Sequence, residues 1–268
     1  MAVRAYEALV DGILSGAFPE EVLISEQSLA DRLGMSRTPI RRALAQLEAD
    51  RLVRVLPRRG LVVESLTSRQ LTEIFQFREA LEVLAAREAP GFNLGHLAKL
   101  DAVFAEFTAL GSQGDPSAVS AVVNEADEQL HRLIVAATMN RLMIAEFDRL
   151  RLQMAQIRAA SWAYTDMTGK RGLTVGAADH RLIIRALCDG DRELAAQALT
   201  AHIRSGKDHL LRVVASPQPE ERSPWIRRPP LVVTWLRDDT VSPDDVAQLV
   251  RDAVIVNVSV SHPAAGSR

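Results

Sequence analysis

From about Leu66 to Val214 the apolar residues recur at helical spacing almost without interruption. No single helix of a globular protein runs that far, since the average is roughly 11–12 residues. The stretch must therefore break and fold back on itself. Gly91, Gly111-Ser-Gln-Gly, Asn140, Thr168-Gly-Lys-Arg-Gly172 and Gly190 supply the breaks. They leave helices expected at 68–89, 94–111, 116–138, 140–163, 175–189 and 191–214. Short connections between amphipathic helices favour antiparallel neighbours, so an all-α bundle is the expected architecture. With 47% apolar and 25% charged residues the chain has the balance of a globular protein. Cys188 is the sole cysteine, which excludes an intrachain disulfide and a four-cysteine zinc module; a packed, inert thiol is expected there. No apolar run reaches the roughly 18 residues of a membrane span, and the first residues lack a signal-peptide core, so a cytoplasmic protein is expected.

The N-terminal part has a different rhythm. Residues 3–15 place Val3, Tyr6, Leu9, Val10, Ile13 and Leu14 on one helix face, with Gly16 as its stop. Ser25 can cap a short second helix through Leu33, ended by Gly34. Ser36 can cap a third, where Pro39 is tolerated in the first turn and Ile40, Ala43, Leu44 and Leu47 face inward. After Asp50 the period falls to two. Leu52–Leu56, the tip Pro57-Arg58-Arg59-Gly60 and Leu61–Val63 read as a β-hairpin with a basic tip. Three helices followed by such a wing form a winged helix-turn-helix. Between Arg32 and Gly60 eight arginines face only Glu48 and Asp50, although the whole chain carries a net charge of −2. A solvated charged face would account for that alone. The third helix adds a more specific signal, because the first turn of such a helix is the part offered to base edges. Here that turn is Ser36–Arg41. Arg37 and Arg41, four residues apart, share a face opposite Ile40 and Leu44. Arginine can pair bidentately with a guanine edge, and Thr38 can bond a phosphate or meet a thymine methyl. Aromatic residues make up only 4% of the chain, which argues against a platform for single-stranded bases.

The run Ser36-Arg-Thr-Pro-Ile-Arg-Arg-Ala-Leu-Ala-Gln-Leu-Glu48, with Leu29-Ala-Asp-Arg-Leu-Gly34 before it and Pro57-Arg-Arg-Gly60 after it, resembles the N-terminal domain of GntR-family bacterial transcription regulators over residues 5–63. The resemblance implies that Arg37, Thr38 and Arg41 contact DNA from the recognition helix, and Arg59 and Gly60 from the wing. It also implies a homodimer on a palindromic double-stranded operator, since two-fold proteins read two-fold sites. Arg42 stands where the family usually has glutamate, and Asp50-Arg51 where a Glu-Gly pair is common. These departures bear on the operator sequence rather than the fold.

Within the helical region, Asp127 and His131 are four apart and share a face with Val123, Ala126, Leu130 and Ile134. His180 precedes Ile183, Ile184 and Leu187, and His202 follows Leu194, Ala198 and Leu199, each on an apolar stripe. A lone inward histidine is ordinarily a hydrogen-bonded core residue. Asp127, His131, His180 and His202 together are a candidate set of metal ligands, because bundles build metal sites from facing helices. His209 is a rival ligand. Residues 67–214 resemble the FCD-type effector domain of the fatty-acid-regulator branch of the same family. The matching stretches are Phe77-Arg-Glu-Ala-Leu-Glu82, Asp127-Glu-Gln-Leu-His131 with Asn140, Asp179-His-Arg-Leu-Ile183 and Ala198-Leu-Thr-Ala-His202. The resemblance implies that the aspartate and three histidines bind a divalent ion. Zinc, nickel and manganese all tolerate this mixed N/O set. One carboxylate and three neutral imidazoles leave a divalent ion with a net charge of about +1 and, if it is six-coordinate, about two open positions. A small carboxylate effector suits them. Arg78, Arg149 and Arg158 are candidates to hold such an anion bidentately, though an ordinary ion pair is the plainer role for each.

The expected organisation is a DNA-binding domain at 1–65, an effector and metal domain at 66–214, and a Pro-rich linker with a C-terminal extension at 215–268. Within the extension, 231–236 and 255–260 read as strands and Ser242-Pro-Asp-Asp245 as a helix start. The fold class is mainly α. The expected function is a ligand-responsive transcriptional regulator, a repressor and not an enzyme. The competing readings are a metal-dependent enzyme using the Asp/His site, which would need a general acid or base that the sequence does not offer, and an effector-binding module with a non-operative DNA domain.

Overall fold

A computed structural model of the chain describes residues 1–14, 17–18, 21–63, 67–110, 116–168, 171–215 and 241–260. The expected features at Gly16, 111–114, 169–170, the linker from 216 and the strand at 231–236 lie outside them. The described residues form two compact units.

The first unit contains Met1–Thr72, Asp148–Tyr164 and the end of the ninth helix from Leu210. Helices α1 (Ala2–Leu14), α2 (Glu26–Leu33) and α3 (Arg37–Ala49) are followed by strands β2 (Val53–Leu56) and β3 (Gly60–Val63). Ser25 caps α2, its Oγ accepting from the Ser28 amide at 3.1 Å. Gly34 ends α2 in the left-handed conformation that an L side chain resists. Ser36 occupies the cap position of α3 but makes no side-chain cap bond, so the start of α3 relies on its extended backbone and on packing. Ala5, Leu9, Leu29, Ile40, Leu44, Leu47, Leu52 and Leu61 close the core; burying each leucine or isoleucine contributes about 1.5–3 kcal/mol. Within that unit Tyr6 donates to Asp50 Oδ2 at 2.7 Å, which ties α1 to the end of α3.

A two-residue strand, β1 (Leu23–Ile24), joins the hairpin to give the antiparallel order β1-β3-β2. Two residues are too few to show an alternating pattern, so this strand had no sequence signature. It explains Gly60. That residue has φ +136°, and a Cβ there would sit 1.8 Å from the Ile24 carbonyl oxygen.

The second unit contains Glu73–Phe147, Thr165–His209 and the C-terminal helix. Its elements are α4 (Ser68–Glu88), α5 (Leu94–Leu110), α6 (Pro116–Ala136), the ends of α7 (Arg141–Thr168), α8 (Arg171–Cys188), α9 (Arg192–Ala215) and α10 (Pro243–Val260). Helix α5 packs against α6, α8 and α10. Paired charges link neighbours around it: Arg181 with Asp101 at 2.9 Å, Arg87 with Glu193 at 3.0 Å, and Arg204 with Glu79 at 2.7 Å. Being exposed to varying degrees, such pairs orient helices more than they stabilise them.

Two expectations need correction. Residues 255–260 continue α10 instead of forming a strand. The β-branched run there favours extended backbone only weakly, and the helix is already nucleated upstream. Ser242 and Asp245 make a reciprocal cap: Ser242 donates to Asp245 Oδ2 and accepts from the Asp245 amide. Val246 and Val250, four apart, are buried. Cys188, expected to be packed, is exposed at the end of α8.

Candidate metal centre

Four helical positions bring the site together. Helix α6 supplies Asp127 and His131 one turn apart, α8 supplies His180 and α9 supplies His202. Each of the four offers one ligand atom, and these atoms lie within 4.8 Å of one another. The apolar stripe of α6 drives this placement, since Ala126, Leu130 and Ile134 are wholly buried and carry Asp127 and His131 inward with them. His131 and His180 are buried, while Asp127 and His202 are half-buried. The imidazoles of His180 and His202 have centroids 4.3 Å apart, and those of His131 and His202 are stacked at 5.2 Å.

His180 Nε2 lies 2.9 Å from Asp127 Oδ1, and His131 Nε2 lies 3.5 Å from the same oxygen. Neither contact has hydrogen-bond geometry. His131 Nε2 and both ring nitrogens of His180 are buried without a hydrogen-bond partner. Buried polar atoms left so cost about 1–3 kcal/mol each. The Nε2 atoms of His131 and His180 converge on one carboxylate oxygen, and a divalent cation accepts a donor set of three imidazoles and one carboxylate. The residues fit a metal ion. His209, the rival ligand, is not among the converging residues.

A layer behind the ligands was not legible in the sequence. His131 Nδ1 is hydrogen-bonded to Glu82 Oε2, and Arg78 Nε donates to Glu82 Oε1. Glu82 is completely buried and Arg78 nearly so. With Nδ1–H held by a carboxylate, the lone pair of His131 is left on Nε2, the nitrogen that faces the cluster. Phe104 of α5 stacks on His180 with centroids 4.4 Å apart. Arg78 and Glu82 stand one turn apart in a helix with charged residues on several faces, and nothing in that pattern marks which pair is buried.

Electrostatics follow the same geometry. Burial alone would raise the Asp127 carboxyl, but contacts with His131 and His180 outweigh it and hold it well below the ordinary aspartate range. Burial likewise opposes the Glu82 carboxylate, and the charges of Arg78 and His131 bring it below its usual value. Burial, then the neighbouring imidazole of His180, pushes His202 down to about 3. His180 is lowered chiefly by burial. For His131, burial and Arg78 act downward, yet Glu82 and Asp127 carry it above the usual histidine value.

The candidate effector arginines separate. Arg78 sits behind the ligands on Glu82. Arg149 is exposed on the stretch of α7 that belongs to the first unit, whereas all four ligands belong to the second. Arg158 lies outside the residues whose side chains are described.

On the first unit, Arg37, Thr38, Arg41 and Arg59 are exposed and Gly60 is buried. Arg37 Nε donates to Gln27 Oε1 at 2.9 Å, and Gln27 in turn donates to Asp31 Oδ1 at 2.7 Å. Arg41 Nε pairs with Glu26 at 2.9 Å. Residues of α2 thus tether both arginines of α3.

Comparison with known proteins bears on both units. The profile of the gntR family of bacterial regulatory proteins matches residues 1–63, and the profile of the FCD domain matches residues 73–205. A Paenarthrobacter nicotinovorans protein named "Probable D-xylose utilization operon transcriptional repressor" is 30% identical over 203 residues, covering 76% of this chain and 85% of its own. The gluconate operon transcriptional repressor of Bacillus subtilis is 26% identical over 214 residues, covering 78% of this chain and 84% of its own. Among solved structures, E. coli McbR/YncC superposes with a TM-score of 0.63 at 22% identity, over 79% of this chain and 97% of that one. At that identity the superposition speaks for the fold alone.

Proposed function

The chain belongs to the GntR family of bacterial regulatory proteins, joins its winged helix-turn-helix to an FCD domain and is a DNA-binding transcriptional regulator, not an enzyme; from that premise we propose that it is a repressor whose helical unit holds a divalent cation and whose grip on its operator responds to a small carboxylate. One observation carries the metal part: four ligand atoms within 4.8 Å, among them buried imidazole nitrogens with no hydrogen-bond partner. Relatives named as repressors of gluconate and D-xylose operons favour repression.

Asp127, His131, His180 and His202 would hold the ion. Zinc, nickel and manganese suit the set equally. Bound there, the cation would supply positive charge that attracts a carboxylate or hydroxy acid. The chain's own residues do the rest. Glu82 keeps the proton of His131 on Nδ1, Arg78 balances the charge of Glu82, and Phe104 shields one face of His180 from water. A carboxylate shifts the DNA-binding equilibrium only if it binds two arrangements of the helices with different affinity.

On DNA, Arg37, Thr38 and Arg41 would read the major groove, while Arg59 and the backbone at Gly60 hold phosphates from the wing. One such unit spans few bases, so a homodimer on a palindromic operator is part of the proposal. A monomer at micromolar concentration that stays monomeric on DNA would remove it. Among the described residues no helix is long and apolar enough to cross a membrane, and the proposed place of action is the cytoplasm.

The test uses an operator selected from random duplexes and fluorescence anisotropy. Affinity should fall steeply with salt, as counterion release requires. A panel of mono-, di- and tricarboxylates should contain one that changes affinity roughly fivefold or more, with zinc-loaded protein and not with metal-stripped protein. Equal response in both forms, or none in either, would count against the proposal.

A further inference from the structure

Helix α10 lies beyond both family matches, which end at residues 63 and 205, and residues 216–242 separate it in sequence from α9. Nevertheless it is built into the second unit. It packs on α5 and α6, and Val246 and Val250 are 0% and 1% exposed. Arg251 Nη1 pairs with Glu106 of α5 at 2.7 Å, and its other nitrogens are held by Gln248. The start of α10 is fixed by the Ser242–Asp245 cap.

Of the two helices that α10 covers, one carries two of the candidate ligands and the other packs against a third. Helix α6 carries Asp127 and His131, and α5 carries Phe104, which stacks on His180. At about 100° per residue, Phe104 and Glu106 point to opposite sides of α5. One side meets α8 through Phe104 on His180 and Asp101 on Arg181, the other meets α10 through Glu106 on Arg251. Helix α5 is also tied to α6 by His96 on Gln129 at 3.1 Å. Helix α5 is therefore gripped between the metal-site helix α8 and the C-terminal helix.

We propose that α10 is a positioning clamp for the metal centre: by seating on the outer face of α5 and α6 it fixes Phe104 against His180, and the α6 pair Asp127 and His131 relative to His180, in metal-ready geometry. Docking of α10 and metal binding are then linked, and the linkage is reciprocal. The C-terminal extension tunes the affinity of a site to which it contributes none of the four ligands. This proposal rests on the reading of Asp127, His131, His180 and His202 as metal ligands.

The test compares full-length wild type with Val250→Asp, which places a charge under the docked helix, and Arg251→Ala, which removes only a half-exposed ion pair and should leave folding intact. Zinc affinity is measured by competition with a chelating dye, and amide exchange at Val246–Arg251 is measured with and without zinc. Val250→Asp should weaken zinc binding by roughly 5–150-fold, the usual span of such coupling, with Arg251→Ala weakening it less. Zinc should slow amide exchange in α10 of the wild type. Should Val250→Asp fail to fold, Arg251→Ala and the wild-type exchange decide. Unchanged zinc affinity in the folded variants, with α10 exchange indifferent to zinc, overturns the clamp alone. A wild type that takes up neither zinc nor, in the same assay, nickel or manganese overturns both the clamp and the metal reading beneath it.

Discussion

Glu82→Gln isolates the hidden layer behind the ligands. The carboxylate accepts from Arg78 on one oxygen and bonds His131 Nδ1 with the other, and the residue is 0% exposed. Glutamine keeps the volume but offers one carbonyl oxygen, so its amide must turn a donor toward either Arg78 or His131. Two separable effects follow. In the metal-free protein Arg78 loses its buried counter-charge, and breaking such a pair costs about 3–5 kcal/mol. In the metal-binding reaction His131 loses the acceptor that fixes its tautomer, and loss of such a partner weakens metal affinity by about 10–100-fold, or roughly 1.4–2.7 kcal/mol. A second variant, Arg78→Met with Glu82→Gln, separates the two. Removing the orphaned charge should restore most of the melting temperature measured in EDTA, while zinc affinity stays low. Thermal denaturation and dye competition read both quantities on the same samples. The reasoning fails if folded Glu82→Gln binds zinc within about threefold of wild type, a difference of roughly 0.7 kcal/mol.

Three further outcomes are expected. Arg37→Ala should cost about 1–3 kcal/mol of operator affinity and relax preference at one base pair, whereas Arg59→Ala should weaken all sequences evenly and reduce the salt slope; quantitative selection at two salt concentrations checks both. Gly60→Ala should destabilise the DNA-binding unit by at least about 1–3 kcal/mol, because φ +136° and the Ile24 carbonyl both oppose a side chain; calorimetry of the full chain would show it, and an unchanged melting profile would refute it. For the metal-free protein, His202 is held at about 3 in the fold against an ordinary 6.5. A depressed value means that this stability is complete above about pH 6.5 and is lost progressively as pH falls toward 3. The melting temperature in EDTA should fall over that window, and His202→Asn should flatten the fall.

Much of this was written in the periodicity of the chain. Leu9, Ile40, Leu44 and Leu47 sit at helical spacing and close the core of the first unit, and the change to period two after Asp50 marks the wing. Asp127 and His131 were legible because they interrupt an apolar stripe, and an interruption on a buried face requires a partner. Glu82 was not legible because its partner His131 is far away in sequence and its own helix is charged on several sides. β1 is too short to carry a pattern. Residues 255–260 show the opposite failure: their β-branched run suggests a strand, but continuation of an already capped helix that buries Val246 and Val250 outweighs that weak local preference.

Elemental analysis of protein purified without chelators tests the central claim most directly. The wild type should contain, or take up on addition of zinc, nickel or manganese, one ion per chain. His131→Ala and His180→Ala should take up none at the same concentrations, and metal should raise the melting temperature of the wild type alone. A wild type that stays metal-free in all three solutions, with histidine variants that melt as it does, would leave Asp127, His131, His180 and His202 as core residues and contradict the account.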